Sequence, residues 1–413
     1  MTDVWRFGVA LGVVAALLGV VTPSVQGAVP PSTHRVSLGW DDRQGNAPSS
    51  AGLISADSRF VAFDSRATNL SRHRDTNGVQ DVFVRDRRLG RTVRVSVDSH
   101  RRQANGSSRV IAISAGGRFI MFNSHASNLV QGDTNGHVDV FVRDLRLGVT
   151  RRVDVTTQGS QLATSGFGED ISPDGRYVLF EDFPTAGESR LFLRDRRSGV
   201  TRLVPHTDGF EINFVRSQVS AEAHFVTYSI LGLGSGLGDA FRFNRVTGRT
   251  SKVSIGIGAH DGAWVSDMSP DGRFLLVTSD HEVGGVGCRV TDVWVRDMKK
   301  KTSIRLTKTT GGCGDTNQGV SISSDGRLVT FTSGLSHFVA GDTNGVGDVF
   351  QRHILSGKTL RLSVAPDGSQ LATPSGGGSM SGFGAWAVFW NRSALVPGDT
   401  NSVRDVYSRG RLP

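Results

Sequence analysis

Asp75-Thr76-Asn77-Gly78-Val79-Gln80-Asp81-Val82-Phe83-Val84-Arg85-Asp86 returns as Asp133-Thr134-Asn135-Gly136-His137-Val138-Asp139-Val140-Phe141-Val142-Arg143-Asp144. It returns again as Asp342-Thr343-Asn344-Gly345-Val346-Gly347-Asp348-Val349-Phe350, and in worn form as Asp399-Thr400-Asn401-Ser402-Val403-Arg404-Asp405-Val406-Tyr407. Strand-like units recurring every 50–60 residues or so predict a radial array of small sheets. A second element fixes the count. Ser172-Pro173-Asp174-Gly175-Arg176 has relatives starting at Ser55, Ser114, Ser269 and Ser323, with diverged copies at Ser220 and Ser381. That makes seven tight hairpin turns, each followed by an apolar strand such as Phe60-Val61-Ala62-Phe63.

The order is strand A, Ser-x-Asp-Gly-Arg turn, strand B, loop, the Asp-Val-Phe-Val-Arg-Asp strand C, turn and strand D. Four strands per unit make one propeller blade, so an all-β, single seven-bladed β-propeller is predicted. The seventh unit lacks strand D. Thr33-His34-Arg35-Val36-Ser37-Leu38-Gly39 matches Arg91-Thr92-Val93-Arg94-Val95-Ser96-Val97 and Lys358-Thr359-Leu360-Arg361-Leu362-Ser363-Val364. The N-terminal strand should therefore complete the last blade and remove the open edge.

These units resemble the TolB-type, WD-like propeller repeats, whose blades carry Ser-Pro-Asp-Gly-Arg before an apolar strand. The resemblance runs from about Thr33 to Arg409. It implies the fold and little about activity, because propellers host many functions. TolB itself has a further N-terminal α/β domain. Only a short Ala/Pro/Ser stretch precedes the first strand here, so TolB's role in envelope transport is not carried over.

The 413 residues include 52 Gly, 12 Pro and 21% charged residues, a globular composition. Met1 to Arg6, the apolar run Phe7 to Val21 and the small residues near Gly27 read as a signal peptide over 1–27, leaving 28–413 as the propeller. A secreted, extracytoplasmic chain without a membrane span in its mature part, and monomeric, is expected. Net charge is +9. Outside the cytoplasm this suits acidic envelope polymers. No aromatics interleave with a basic groove in the sequence, so specific nucleic-acid reading is not expected.

Asp-x-Asn-Gly-x-x-Asp invites a calcium reading. Calcium takes roughly six to eight oxygen ligands, which acidic loops supply. Candidate ligands are Asp75, Asn77, Asp81, Asp133, Asn135, Asp139, Asp342, Asn344, Asp348, Asp399, Asn401 and Asp405. The set lacks the oxygen donor at the fifth position and the distal Glu of an EF-hand. The alternative is an Asx-type turn with Asn-Gly supplying positive φ. Arg35, Arg94, Arg152, Lys252 and Arg361 take matching strand-D positions, with further arginines in the C–D turns. They are expected to form a solvated belt on the rim and one face.

His73, His125, His137, His281 and His337 fall in or beside B–C loops of different blades, without metal-ligand spacing. No nucleophile elbow is present. Cys288 and Cys313 are expected to pair, since exported proteins meet oxidising conditions and both lie in loops on one face. The expected function is a non-enzymatic binding propeller for a protein or an acidic envelope polymer. It would use the face carrying the B–C and D–A loops, where the B–C loops are long in blades 6, 7, 1 and 2. A polysaccharide lyase or glycosidase with paired carboxylates at the central channel is the main rival. A calcium-stabilised structural propeller is the third reading.

Overall fold

A computed structural model describes residues 32–185, 188–205, 213–214, 216–231, 238–254, 262–282, 289–308 and 317–410. The expected signal segment and both cysteines, Cys288 and Cys313, lie outside the described residues. Seven antiparallel sheets follow one another along the chain. Blade 1 is Ser49–Ile54, Phe60–Ser65, Asp81–Asp86 and Arg91–Arg94 as strands A to D. Blade 2 repeats it with Ser108–Ile113, Phe119–Ser124, Asp139–Asp144 and Val149–Arg152. In blade 4 the inner position is split between Asn213–Phe214 and Gln218–Val219, both paired with Phe225–Leu231. In blade 3 strand B extends through Pro184 to Thr185. Among the described residues no helix is long and apolar enough to cross a membrane.

The ring closes as expected. Thr33–Arg35 pairs antiparallel with Asp405–Gly410, placing Thr33 opposite Arg409 and Arg35 opposite Tyr407. The last sheet thus runs from the N-terminal strand through the three C-terminal strands. The Val36 amide continues the ladder to the Val406 carbonyl at 2.7 Å.

The apolar core lies between blades. Each of seven clusters joins two neighbours, as Val84 and Val95 of blade 1 join Ile120 and Phe122 of blade 2. Val36 and Ile54 meet Val388 and Val406 across the closing interface. Burial of this kind is worth about 25 cal/mol per Å² of apolar surface, so each interface is a stabilising unit.

The Ser-x-Asp-Gly-Arg turn serves both its own blade and its neighbour. Ser172 Oγ donates to Asp174 Oδ1 at 2.6 Å and accepts the Tyr177 amide at 2.9 Å, which closes the hairpin. Arg176 reaches the last Asp of strand C, Asp195, at 2.7 Å. Gly175 sits at φ +75°, and a Cβ there would lie 2.0 Å from the Phe119 ring of blade 2. Gly117, Gly272 and Gly326 face Phe60, Phe225 and Phe274 of the preceding blade in the same way. Blades 1 and 4 are the exceptions, with Ser58 at φ +66° and Ala223 at φ +51°.

These turns give a paired expectation. Gly175→Ala should lower the unfolding free energy by about 3 kcal/mol, from the left-handed backbone and the overpacked ring together. Ser58→Gly, at the matching position, should raise it by about 0.5–1 kcal/mol. Denaturant titration of both variants checks the pair. A chain truncated to begin at Ala51 loses the closing strand, and should aggregate or unfold without cooperativity in light scattering and calorimetry.

Candidate functional site

The repeated acidic loops and the strand-D arginines belong to one arrangement. Strand D of blade 1 turns Arg94 inward, where its guanidinium lies 3.1 Å from Asp75 and 3.2 Å from Asp81. Asn77 donates to Asp81 at 3.1 Å and to the Ala104 carbonyl, just ahead of blade 2, at 2.9 Å. Ser96 Oγ donates to the other Asp81 oxygen at 2.5 Å. Blade 6 repeats it, with Arg361 3.3 Å from Asp342 and 3.5 Å from Asp348, and Asn344 bonded to Asp348 and the Leu371 carbonyl. In blade 7 the N-terminal segment supplies the partners. Arg35 lies 3.4 Å from Asp399, Ser37 donates to Asp405 at 2.5 Å and Asn401 donates to the Gly45 carbonyl.

This corrects the expectation of a solvated arginine belt. The Arg35, Arg94, Arg152 and Arg361 side chains are 3–7% exposed. Lys252 and Arg305, paired with Asp239 and Asp292, are the more open members. The same geometry bears on the calcium reading. A guanidinium already lies between the two carboxylates in blades 1, 2 and 6, and Asn77, Asn135 and Asn344 turn their amide N–H groups toward the second one. An N–H donor cannot ligate a cation. Among the described residues, no three His, Cys, Asp or Glu converge to hold a metal. The residues do not fit a calcium site as arranged.

Sequence reasoning missed a further partner that had a periodic signal. Gln44, Gln161 and Gln370 accept from Arg35, Arg152 and Arg361, nine residues earlier in each case, at 2.9–3.0 Å. Each also reaches the Thr of the acidic loop, as Gln103 does for the Thr76 amide.

Blade 2 carries an excess carboxylate. Asp154 replaces the Ser of the other copies, so Arg152 faces Asp133 at 3.3 Å, Asp154 at 3.2 Å and also Asp139. Burial, followed by the Asp139 charge, pushes the Asp133 carboxyl up to about 6. Burial raises Asp154 well above the usual carboxylate range.

A second site lies over the axis, on the face where the B–C and D–A loops emerge. A depression of about 920 Å³ is lined from blades 1, 2, 4, 6 and 7. Arg109, Arg216 and Arg404 line it, and among the described residues none of them forms an ion pair. Arg404 lies 4.1 Å over the Trp390 ring. The acids around it are held toward neutrality. Asp64 lines the depression, accepts the Val110 amide of the next blade at 2.6 Å, and is pushed up to about 7 by burial. Glu169, on the inner strand of blade 3, accepts the Ser217 amide at 2.8 Å and is raised by burial to about 7. Burial and then the Glu169 charge raise Glu181, on the adjoining strand, to about 9. Arg404 takes a variable position inside the worn fourth copy of the acidic repeat and the others fall on no repeat motif, so the sequence carried no signal for them.

No family model matches the sequence, and no curated protein matches it. The propeller domain of the trilobed protease from Pyrococcus furiosus, described as having an open velcro topology, matches with a TM-score of 0.55 at 13% identity, over 88% of this chain and 93% of that one. Oligogalacturonate lyase from Vibrio parahaemolyticus matches with a TM-score of 0.57 at 10% identity, over 92% and 97%. TolB from Acinetobacter baumannii matches with a TM-score of 0.44 at 13% identity, over 76% of this chain, which spans 62% of TolB's length. At such identities the likeness shows the propeller fold alone.

The blade 2 excess has a pH signature. Asp133 and Asp154 have folded-state values above their ordinary ones. Well below pH 4 both are protonated folded or unfolded and nothing is lost; from about pH 4 upward the unfolded chain ionises them while the fold holds the protons, up to about pH 6 for Asp133 and further for Asp154, so stability falls across that window. Asp154→Ser should therefore raise stability at pH 8 on the order of 1–2 kcal/mol, with the gain shrinking toward pH 4. Chemical denaturation at the two pH values checks it. Calcium or chelator should leave the wild-type midpoint unchanged.

Proposed function

We propose that this propeller is an extracytoplasmic, non-enzymatic binding module for an acidic partner, either an envelope polymer or an acidic protein segment. The partner would seat over the channel mouth. The observation that carries this reading is the charge balance there. Arg109, Arg216 and Arg404 form no ion pair among the described residues, and burial outweighs the Arg109 and Arg216 charges to hold Asp64, Glu169 and Glu181 toward their neutral forms. The mouth is therefore more positive near neutral pH than its composition implies. Guanidiniums beside low-dielectric walls attract anions and can fork onto carboxylate or phosphate groups. The Trp390 ring beneath Arg404 adds an aromatic surface. A rigid ring carrying loops on one face is a scaffold suited to binding.

One observation favours the enzymatic alternative, a polysaccharide-acting propeller. Glu169 and Glu181 influence each other's ionisation, and Glu169 feels the Arg216 charge at the mouth. Two carboxyls with separated values are what general acid–base chemistry uses. Replacing both by Gln separates the readings. A binding module keeps its affinity and shows no turnover either way; an enzyme loses turnover.

The binding reading predicts a pH dependence. Raising pH from 6 to 9 ionises Asp64 and Glu169 near 7 and Glu181 near 9, adding negative charge around the mouth. Affinity for an anionic polymer whose own groups do not titrate in that range should fall steadily, at fixed ionic strength. Arg109→Ala combined with Arg404→Ala should weaken binding by about tenfold or more at pH 6. Titration calorimetry reads both; affinity flat or rising with pH would exclude this seat.

A further inference from the structure

Four homologous turns link a strand D to the next strand A. Their ends are fixed by isolated bridges joining Leu38 to Gln44, Val97 to Gln103, Val155 to Gln161 and Val364 to Gln370. In every copy the fourth residue after the bridge start is left-handed. It is Gly159 at φ +84° and Gly368 at φ +87° in two copies, with open space around both. In another it is Asp42 at φ +62°, whose carboxylate pairs with Arg85. In the fourth it is Arg101 at φ +67°. Asp98 holds that turn. Its carbonyl accepts the Arg101 amide at 3.0 Å, and its carboxylate accepts the His100 and Arg102 amides at 2.9 and 2.7 Å. An arginine in a backbone conformation natural to glycine is unfavourable by about 1 kcal/mol, and the turn geometry gives it no return. An observed outlier of this sort motivates a search for what the side chain does.

Arg101 borders a groove of about 720 Å³ on the outer side of blades 1 and 2. Arg72, Arg91 and Arg143 line it too, together with Trp40, and no carboxylate does. Arg72, Arg91 and Arg101 are exposed and, among the described residues, form no ion pair. Arg143 is buried, with Nη1 donating to the Asp98 carbonyl and to Thr150 Oγ1, both at 2.9 Å. Burial, and next the Arg101 charge, pull Arg143 below its ordinary value against the opposing Asp98 and Asp144 charges. Trp40 is 46% exposed, in the equivalent turn at the N-terminal end.

We infer that this groove is a binding subsite for a stretch of acidic polysaccharide, one sugar ring lying on the Trp40 indole with flanking carboxylates on Arg72, Arg91 and Arg101. Sugars present an apolar face to an indole, and guanidiniums pair bidentately with carboxylates. An exposed aromatic among unpaired guanidiniums therefore fits a polymer that alternates apolar ring faces with acid groups. Polysaccharide as the acidic polymer rests on the extracytoplasmic reading above. The site itself is separate from the channel mouth, and none of its residues lines that depression.

The test uses the full mature chain with alginate oligomers, a polyuronate, as the probe. Arg101→Gly is the informative variant. Glycine suits the left-handed turn, so the protein should melt at a higher temperature while binding alginate about threefold more weakly. Arg72→Ala, Arg91→Ala and Arg101→Gly together should lower affinity by about thirtyfold, and Trp40→Ala should lower it without changing the salt dependence. Arg109→Ala with Arg404→Ala, at the channel mouth, is the control, and should leave the groove's share of the affinity in place. Unchanged alginate affinity in Arg101→Gly, or affinity lost only in the channel-mouth variant, would overturn the groove and leave the channel reading standing. Polyphosphate bound as tightly as alginate, with no effect of Trp40→Ala, would overturn the sugar assignment.

Discussion

The arrangement on which the rest of this structure depends is one guanidinium held between two buried carboxylates. In blade 1 one carboxylate comes from the later part of the B–C loop and the other from the first residue of strand C, the arginine from strand D and the capping carbonyl from the segment leading into blade 2. Burial by itself raises Asp81, Asp342 and Asp405 above the ordinary carboxylate range, which states how poorly a bare charge would fare there. A buried ion pair adds little against an apolar substitute, yet breaking one leaves a charge stranded, at about 3–5 kcal/mol. Its effect is therefore on register. Slipping strand D by one residue would put Val93 or Val95 where Arg94 now meets the two carboxylates, because side chains alternate along a strand.

The same arrangement explains how a three-residue strand closes the ring. Thr33–Arg35 offers only a short ladder. Arg35, Ser37 and Gln44 rebuild in blade 7, from the other end of the chain, what strand D and its following loop supply in blades 1 and 6. The extra entropic penalty of joining such distant segments grows only logarithmically with loop length. The seventh apolar interface, between Val36, Ile54, Val388 and Val406, can form only once that join is made.

The blades were legible in the sequence because each strand and turn is announced locally: Ser-Pro-Asp-Gly-Arg by its hairpin chemistry, Asp-Val-Phe-Val-Arg-Asp by its recurrence, and the missing strand D by its match at Thr33–Gly39. The polar arrangement was not legible, though its parts were all noticed. Asp75 and Arg94 stand nineteen positions apart, and each has an inexpensive local explanation, a loop turn for one and a wet rim for the other. Only the strand C to strand D register, Phe83 opposite Arg94, brings them together. Blade 3 shows the limit of the pattern. Leu203 stands where Arg94 stands, Arg190 where Asp81 stands, and the ion pair is rebuilt in reverse with Asp182. The pairing of Cys288 with Cys313 falls outside the described residues.

Most of the conspicuous charge in this chain is consumed by the repeat. The arginines of the hairpin turns pair with the last Asp of strand C, and the strand-D arginines pair with the acidic loops. What the repeat cannot absorb is the better guide to function. Arg109 and Arg216 belong to no motif and Arg404 takes a variable position within one, yet five blades bring their neighbourhood to one depression. The acids near them have ionisation set by burial, a property of the closed ring that no local window of sequence contains. Arg101 makes the case most directly, since its own homologues Gly159 and Gly368 define what the turn requires. In a protein built by repetition, each copy is a control for the others, and a residue that departs from its copies against the local backbone preference is positioned by something other than the fold.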